Sequence, residues 1–304
     1  DIPVLLSVGK DSVYIWENDE TMMHENDAAE VLYRMTANEH MHPSDVKEGK
    51  IEVIADTEGL LKVDREKLKK VNAFGEMMIA TRHGNTVVKK GDKLAGTRII
   101  PLVIKKDKMQ EAEKICDGTP ILKILPFTVK KAAIITTGNE VYHGRIKDAF
   151  TPVIEQKIAE FGAEMMFHEI FDDNDRKITD GCLRAIEAGA DIVFCTGGMS
   201  VDPDDKTPLA IKNTGAEMIS YGSPVLPGAM FLLSYYRKGD KVIPICGLPG
   251  CAMYNRRTIF DLVLPRLMAA DPVTADELAS LGEGGLCLNC KVCTFPNCGF
   301  GKGW

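Results

Sequence analysis

Residues 191–208 read "DIVFCTGGMSVDPDDKTP". The stretch begins with a short apolar run that predicts a buried β-strand, and this strand leads directly into two adjacent glycines. Such glycines let backbone N–H groups approach a phosphate or another oxyanion, whereas the three aspartates that follow would repel one. A divalent cation that bridges carboxylates and phosphate oxygens removes this conflict. The stretch therefore predicts an oxyanionic ligand together with Mg²⁺, and one of the aspartates is expected to cap the helix that begins near Lys206.

Outward from this stretch, residues 132–269 alternate strand and helix patterns. Strands are predicted at 132–137, 164–170 and 191–195, helices at 150–161, 178–190 and 206–213, then two strands joined at 238–240 and a helix from about 251 to 268. Strands separated by helices are typical of βαβ units. We therefore predict an α/β fold with a mostly parallel sheet that is covered on both faces.

Three glycine-rich loops each follow one of the predicted strands directly. They are "TTGNE" (136–140), "CTGGMS" (195–200) and "CGLPG" (246–250). In an open α/β sheet, ligands bind beyond the carboxyl ends of the strands, so the three loops are predicted to line one ligand site. Any single loop is better explained as a tight turn, and the prediction rests on the three together.

The rest of the chain differs in pattern and composition. Residues 1–131 are predicted to form a separate N-terminal α+β domain, and residues 132–270 the α/β domain. In the first, strands are expected at 13–17, 51–55 and 76–80, helices at 27–37, 65–71 and 109–115, and a β-hairpin over 86–104 around Lys90-Gly91-Asp92. Residues 271–304 have too few large apolar side chains to form a core alone, and are predicted to be a cysteine-rich metal-binding tail.

Composition and charge exclude several classes of protein. The 304 residues are 45% hydrophobic and 27% charged, which is ordinary for a globular protein. A net charge of −7 argues against nucleic-acid binding. We expect no membrane segment and no leader within the printed residues, because no apolar run approaches about 18 residues. The odd total of nine cysteines, several within apolar runs, favours reduced thiols in the cytoplasm.

Five segments together resemble the molybdopterin-binding domain of molybdenum cofactor biosynthesis proteins, in order and spacing. They are "TTGNEVYHGRIKDAF" (136–150), "DDNDRKI" (172–178), "ADIVFCTGGMSVDPDDKTP" (190–208), "PVLPGAMF" (224–231) and "GLPGCAMY" (247–254). The superfamily includes molybdopterin adenylyltransferases, molybdenum insertases and competence-damage-type proteins. The resemblance covers about residues 132–268.

The resemblance implies a three-layer α/β/α domain that binds molybdopterin or its adenylylated form, and acts by adenylyl transfer, metal insertion or cofactor carriage. The catalytic positions that it implies are Asp205, which would also hold Mg²⁺, and Asp204. The implied ligand-binding positions are Gly138, Asn139, Glu140, Asp148, Thr196, Gly197, Gly198, Ser200, Gly247, Pro249 and Gly250. Further expected partners are molybdate, a second copy of the chain in a homo-oligomer, and a molybdoenzyme client.

The sequence departs from the family's pattern at three places. The insertases have an aspartate where this chain has Asn139, a lysine is usual at Ala229, and asparagine-proline commonly stands where Cys251 and Ala252 are found. These losses affect transition-state stabilisation more than binding, which can rest on backbone N–H groups. The sequence leaves open whether the chain is a transferase of the molybdotransferase or adenylyltransferase type. It also leaves open a non-catalytic metal- or redox-responsive module with a degenerate pocket, and a nucleotide pyrophosphatase-like hydrolase.

The tail contains a run of four cysteines, "CLNCKVCTFPNC" (287–298). Cys287, Cys290, Cys293 and Cys298 have C-x2-C-x2-C-x4-C spacing, which predicts a metal site with either Zn²⁺ or an iron–sulfur cluster. Metal ligation would also explain how a segment with so few apolar residues becomes ordered. The alternatives are redox-active thiols or pairwise disulfides.

Overall fold

The computed structural model describes residues 2–9, 11–12 and 19–303. The α-helices in this part are α1 (Ile2–Ser7), α2 (Glu25–Thr36), α3 (Arg65–Asn72), α4 (Lys106–Cys116), α5 (Asn139–Tyr142), α6 (Phe150–Ala159), α7 (Asp175–Glu187), α8 (Thr207–Asn213), α9 (Ile259–Met268) and α10 (Ala275–Ser280). The strand predicted at 13–17 lies outside the described residues. In the part of the chain that is described, no helix combines the length and apolar character needed to span a bilayer.

The β-strands of the same residues form four sheets. The strands are β1 (Met22–His24), β2 (Met41–Pro43), β3 (Lys50–Ala55), β4 (Gly59–Val63), β5 (Met77–Thr81), β6 (Thr86–Val88), β7 (Lys93–Ile99), β8 (Val103–Lys105), β9 (Leu122–Leu125), β10 (Lys131–Thr137), β11 (Glu164–Phe171), β12 (Ile192–Thr196), β13 (Glu217–Tyr221), β14 (Leu232–Lys238) and β15 (Lys241–Leu248). Their hydrogen-bonded orders are β1-β8, β2-β3-β7-β5, β6-β4-β9 and β11-β10-β12-β15-β14-β13.

The chain divides into two compact units. The first comprises residues 1–54, 64–82 and 93–122, and the second comprises 55–63, 83–92 and 123–304. The second unit thus includes two segments that precede residue 131, and it includes the cysteine-rich tail. The predicted division into 1–131, 132–270 and 271–304 concerns independent folding, and it stays a prediction.

The first unit has the predicted mixture of helices and strands. The β-hairpin predicted over 86–104, which the two units divide between them, is wrong. A turn does form there: the Asp92 N–H donates to the Lys89 carbonyl at 3.0 Å, and Gly91 has a φ of +86°. The strands that flank the turn do not pair with each other. Strand β6 pairs with β4, whereas β7 pairs with β3 and β5. Each strand pairs with strands from elsewhere in the chain, and sequence spacing alone could not predict this.

The second unit is built on the six-stranded sheet, which confirms the predicted α/β architecture. Strands β11, β10, β12 and β15 are neighbours and run parallel. Strands β14 and β13 continue the sheet antiparallel, so the sheet is mixed at one side. Strand β13 was not predicted. Because β10, β12 and β15 are adjacent and parallel, their carboxyl ends lie along one edge of the sheet.

Apolar side chains alternate along strand β10 and belong to two cores, one on each face of this sheet. Ala132 and Ile134 point to the core that α6 and α9 cover, and Ala133 and Ile135 point to the core that α7 and α8 cover. Each fully buried isoleucine of this kind stabilises the fold by roughly 1.5–3 kcal/mol. The unit is therefore the predicted three-layer α/β/α arrangement.

The helix predicted from about 251 to 268 is shorter than expected. Residues Gly250–Met253 form a single 3₁₀ turn, and α9 begins only after Thr258. Thr258 and Asp261 form a capping box, in which the Asp261 carboxylate accepts a hydrogen bond from the Thr258 N–H at 2.8 Å. This pattern marks a helix start, and it sets the irregular segment 254–257 apart from α9.

The tail packs on the main core of the second unit instead of standing apart from it. Phe300 is only 5% exposed and belongs to the core beneath α9. The Leu226 N–H donates to the Gly285 carbonyl, and the Cys287 N–H donates to the Leu226 carbonyl, each at 2.8 Å. The tail has too few apolar residues for a core of its own, but Phe300 contributes to the core of the second unit.

Candidate functional site

The three glycine-rich loops lie side by side at the edge formed by the ends of β10, β12 and β15. The first two are joined by the hydroxyl of Thr137, which donates to the Thr196 carbonyl at 3.1 Å and bonds the Thr207 hydroxyl at 3.0 Å. The second and third are joined by Met199, whose side chain packs on Gly247. The predicted adjacency of the loops is therefore present, and we call this set of loops the loop edge.

The two glycines of the second loop are required by the packing of the loop edge itself. Gly197 and Gly198 have φ values of +83° and +54°. A Cβ at Gly197 would lie 2.1 Å from the Thr137 carbonyl oxygen, and one at Gly198 would lie 2.9 Å from the Thr207 hydroxyl. The sequence predicted that these glycines let a ligand approach the backbone. Contacts within the loop edge also require glycine at both positions. Ser200, the next predicted position in this loop, is exposed.

The predicted positions of the third loop differ in their access to solvent. Gly247 and Pro249 are buried, and a Cβ at Gly247 would collide with Met199. Gly250 is exposed, has no positive φ, and has no neighbouring atom within 4 Å of where its Cβ would be. Gly250 is therefore a position at which a larger side chain would extend into open space without disturbing the loop edge.

The first loop is anchored to the acidic loop that precedes α7. The Gly138 N–H donates to the Phe171 carbonyl at 3.2 Å, and the Asn139 N–H donates to the Asp173 carboxylate at 3.1 Å. Asp173 was not among the predicted site residues. The segment "DDNDRKI" was the available signal, since it carried the resemblance but no role was assigned to it.

Several carboxylates converge around Asp173. Burial raises the pKa of Asp173, and the negative charges of Glu140, Asp205 and Asp204 raise it further, against the hydrogen bond from Asn139. Glu140 comes from the first loop, and Asp204 and Asp205 come from the segment that follows the second loop. The structure therefore brings acidic groups from three separate segments to one place, where a cation would relieve their repulsion.

The expectation that one of the aspartates caps α8 is wrong. The residue before α8 is Lys206, and no side chain makes a cap bond there. Within the described residues, the carboxylates of Asp202, Asp204 and Asp205 have no hydrogen-bond or ion-pair partner, while the Asp205 N–H donates to the Asp202 carbonyl at 2.9 Å to close a turn. That turn directs the chain into the helix without a cap, and it leaves the carboxylates available to a ligand.

Asp148 is fully engaged with its own surroundings. Its carboxylate accepts hydrogen bonds from the Phe150 and Thr151 N–H groups at 2.8 and 3.1 Å, and from the Thr136 and Thr151 hydroxyls at 2.9 and 2.6 Å. Burial alone would raise the pKa of Asp148, but these hydrogen bonds hold it below the usual value. The arrangement caps α6. A ligand contact of Asp148 stays a prediction.

Two further polar groups border the loop edge. The hydroxyl of Tyr221, at the end of the unpredicted strand β13, donates to the Met199 carbonyl at 3.0 Å. Burial raises the pKa of Tyr221, and the negative charge of Asp205 adds to this effect. The hydroxyl of Thr196 is buried and has no hydrogen-bond partner among the described residues. A buried hydroxyl normally has one, so a ligand or water oxygen near Thr196 would satisfy it.

The acidic residues beside the loop edge do not form a complete metal site by themselves. No group of three or more His, Cys, Asp or Glu side chains is arranged as a complete metal cage in the described part of the chain, whether at the loop edge or in the tail. Mg²⁺ does not require one, since it is usually bound by one or two carboxylates, substrate phosphates and water. Asp205 and Asp204 can supply such carboxylates.

The sequence is similar to proteins of one family over the same segment. The family described as "Probable molybdopterin binding domain" matches residues 133–269. A putative competence-damage inducible protein of Bacillus cereus (strain B4264) is 30% identical over 129 residues, which are 42% of this chain and 30% of that protein. The protein of the same name from Bacillus subtilis (strain 168) is 32% identical over 85 residues, 28% of this chain and 20% of that protein. The chain thus spans less than a third of the length of these curated relatives.

Solved structures overlap with about half of the chain. The tungsten cofactor synthesizing protein MoaB from Pyrococcus furiosus has a TM-score of 0.40 and 18% identity, over 47% of this chain and 98% of that one. The protein CinA with unknown function from Thermoplasma acidophilum has a TM-score of 0.36 and 17% identity, over 46% of this chain and 98% of that one. The family match covers the strands and helices that carry the loop edge. The match of residues 133–269 to a probable molybdopterin-binding domain confirms the resemblance that the sequence motifs predicted.

Proposed function

We propose that the loop edge binds molybdopterin or its adenylylated form with Mg²⁺, and that the protein acts in molybdenum cofactor biosynthesis. The observation that carries the proposal is the placement of carboxylates from three segments beside two glycine loops at adjacent strand ends. Those of Asp204 and Asp205 have no partner among the described residues. The family match over residues 133–269 supports the identity of the ligand. A phosphate-bearing pterin supplies the anionic group, and the cation joins it to the acidic residues.

Each part of the loop edge has a role in this proposal. Asp205 and Asp204 hold the cation, which would neutralise charge on phosphate oxygens as the ligand binds. Backbone N–H groups of the second loop contact the phosphate, and the exposed Gly250 leaves space for the ligand beside the third loop. Asp173 acts through its repulsion with Asp204 and Asp205, because this repulsion makes cation binding more favourable.

Binding is tested first, because the departures at Asn139, Ala229 and Cys251 affect turnover more than binding. Calorimetry with molybdopterin under anaerobic conditions should detect binding to the full chain that strengthens with Mg²⁺. Gly250→Val should weaken binding at least about tenfold by filling the ligand space, which corresponds to about 1.4 kcal/mol. Gly96→Val is the matched control, because its Cβ also meets no closer atom than one at 3.9 Å.

The role of the cation is tested with two aspartates of the same loop. Asp205→Asn should remove most of the Mg²⁺ dependence of binding while leaving the free energy of unfolding unchanged, because Asp205 caps no helix. Asp202→Asn removes the same charge from the same loop but, unlike Asp205, Asp202 does not raise the pKa of Asp173. Equal Mg²⁺ dependence in the two variants would contradict the assignment.

The reaction type is tested by product analysis. The full chain is incubated with molybdopterin, ATP, Mg²⁺ and molybdate, and also with the adenylylated ligand and molybdate. Adenylylated product identifies an adenylyltransferase, inserted molybdenum identifies an insertase, and tight binding with neither product identifies a carrier. Hydrolysis of nucleotide without binding of molybdopterin would contradict the proposal and favour a pyrophosphatase-like enzyme.

A further inference from the structure

The second unit contains a cavity of about 530 Å³ that no residue of the loop edge lines. Its wall consists of two segments: residues 254–257, between the 3₁₀ turn and α9, and residues of the tail between 284 and 300. All four cysteines of the tail, Cys287, Cys290, Cys293 and Cys298, line it. They are free thiols. We call this space the cysteine cavity.

The charged groups of the cysteine cavity are all basic. Arg256, Arg257 and Lys291 line it, and no acidic residue is among the described residues of its wall. Arg257 is held in place by Asp261, to which it donates at 2.8 Å, and its guanidinium lies 4.8 Å from the centre of the Phe295 ring. The charge of Arg257 is thus paired with Asp261, whereas, among the described residues, Arg256 and Lys291 add unpaired positive charge to a wall that carries four thiols.

We propose that the four cysteines of this cavity bind an iron–sulfur cluster. The unpaired cations of the wall offset part of the negative charge that four thiolates would carry. The C-x2-C-x2-C spacing of Cys287, Cys290 and Cys293 is that of three cysteines on one cluster in bacterial ferredoxins, where a fourth cysteine three residues later ligates a second cluster. Here four residues precede Cys298, which lines the same cavity as the other three. The proposal concerns a site outside the loop edge and does not depend on the ligand proposed there.

The cavity of about 530 Å³ has room for a multinuclear centre between the two segments of its wall. The four thiols form no complete metal cage in the described residues, so assembly of a cluster would draw the exposed Cys290 and Cys293 towards the half-buried Cys287 and Cys298. A single zinc ion would draw the same thiols together, and the metal content of the purified protein distinguishes the two.

The test uses the full chain, purified anaerobically without chelators and, if it carries little iron, incubated with ferrous iron, sulfide and a thiol reductant. We expect iron and inorganic sulfide in equal, stoichiometric amounts, a broad visible absorbance, and an electron paramagnetic resonance signal in one of the two redox states. Cys290→Ser and Cys293→Ser should each lose most of the iron and colour. Both side chains are exposed, so these variants should still fold.

Cys251→Ser is the matched control, because Cys251 is half-buried and lies outside the cavity wall. It should retain iron, sulfide and colour. Lys291→Gln should retain the cluster and lower its reduction potential, because a nearby cation favours the added electron. Stoichiometric zinc without iron, or no stoichiometric metal after reconstitution, would overturn the proposal. Full iron retention in both Cys290→Ser and Cys293→Ser would also overturn it.

Discussion

The loop edge and the cysteine cavity are both made of loops in one unit, but they are stabilised in different ways. At the loop edge, the Thr137 hydroxyl, the Gly197 backbone and the Met199 side chain hold the loops against one another, and it is the carboxylates that are left over. At the cavity, the thiols and cations that form the wall make few bonds to each other. The comparison indicates that contacts between the loops hold the loop edge in place, whereas the described thiols and cations of the cavity wall contribute few such contacts.

The largest expected effect tests whether the tail is part of the unit's core. Phe300→Ala should lower the free energy of unfolding by about 3–5 kcal/mol, because Phe300 is buried in the core beneath α9. Urea denaturation of the full chain measures this change. Phe300→Leu keeps most of the volume and should cost much less. If Phe300→Ala has the same free energy of unfolding as the wild type, the tail does not contribute to the stability of the core.

A second substitution tests whether the loop edge is held by its own packing. Gly197→Ala should destabilise the protein by roughly 2–3 kcal/mol, because the new Cβ would meet the Thr137 carbonyl in a backbone conformation that disfavours alanine. Gly215→Ala is the matched control, with a φ of +82° but open space around its Cβ, and should cost only about 1 kcal/mol. Equal costs in the two variants, measured by urea denaturation, would mean that packing at the loop edge contributes little.

The sequence predicted most of the α/β unit because its strands are buried on both faces. Runs such as 132–137 and 191–195 are continuously apolar, and a following helix pattern limits their length. Strand β13 was missed because it lies at the edge of the sheet and its middle residues are only half-buried, so its pattern is weak. The start of α9 was misplaced because apolar residues continue upstream of Thr258, although Thr258 and Asp261 carried a capping signal.

The sequence predicted where the loops of the candidate site lie, but not the hydrogen bonds and packing contacts that their residues make. Strand order makes the three loops adjacent, and the sequence pattern predicted that adjacency. The sequence could not distinguish glycines that are required by internal packing from glycines that face a ligand, because the residue type is the same in both cases. Nor could it predict that Asp148 would be satisfied within the fold while Asp173 would be drawn into the acidic group. Such differences depend on contacts between segments far apart in the chain.

A third substitution separates a structural carboxylate at the loop edge from those available to a ligand. Asp148→Ala should destabilise the protein by about 2 kcal/mol at neutral pH, because it removes the cap of α6 and two hydroxyl partners. The pKa of Asp148 is lowered in the folded protein, so its contribution is complete above the ordinary aspartate pKa and is lost as pH falls through the lowered value. The difference between wild type and variant should therefore shrink in acid. A difference that is independent of pH would contradict this role.

The smallest expected effect concerns Asp173, and it has the opposite sign. The folded protein raises the pKa of Asp173, because burial and the charges of Glu140, Asp205 and Asp204 disfavour its ionised form. Wild type should therefore lose stability as pH rises from the ordinary aspartate pKa through the raised value, whereas Asp173→Asn has no such loss. Asparagine can still accept the hydrogen bond from the Asn139 N–H, so the variant should be slightly more stable than wild type at neutral pH. Thermal unfolding as a function of pH measures the gap between the two proteins, and Asp202→Asn, outside the acidic group, should leave the pH profile unchanged. If Asp173→Asn is less stable than wild type at neutral pH, the carboxylate stabilises the loop edge more than its neighbours' charges oppose it, and the acidic group would not be a site prepared for a cation.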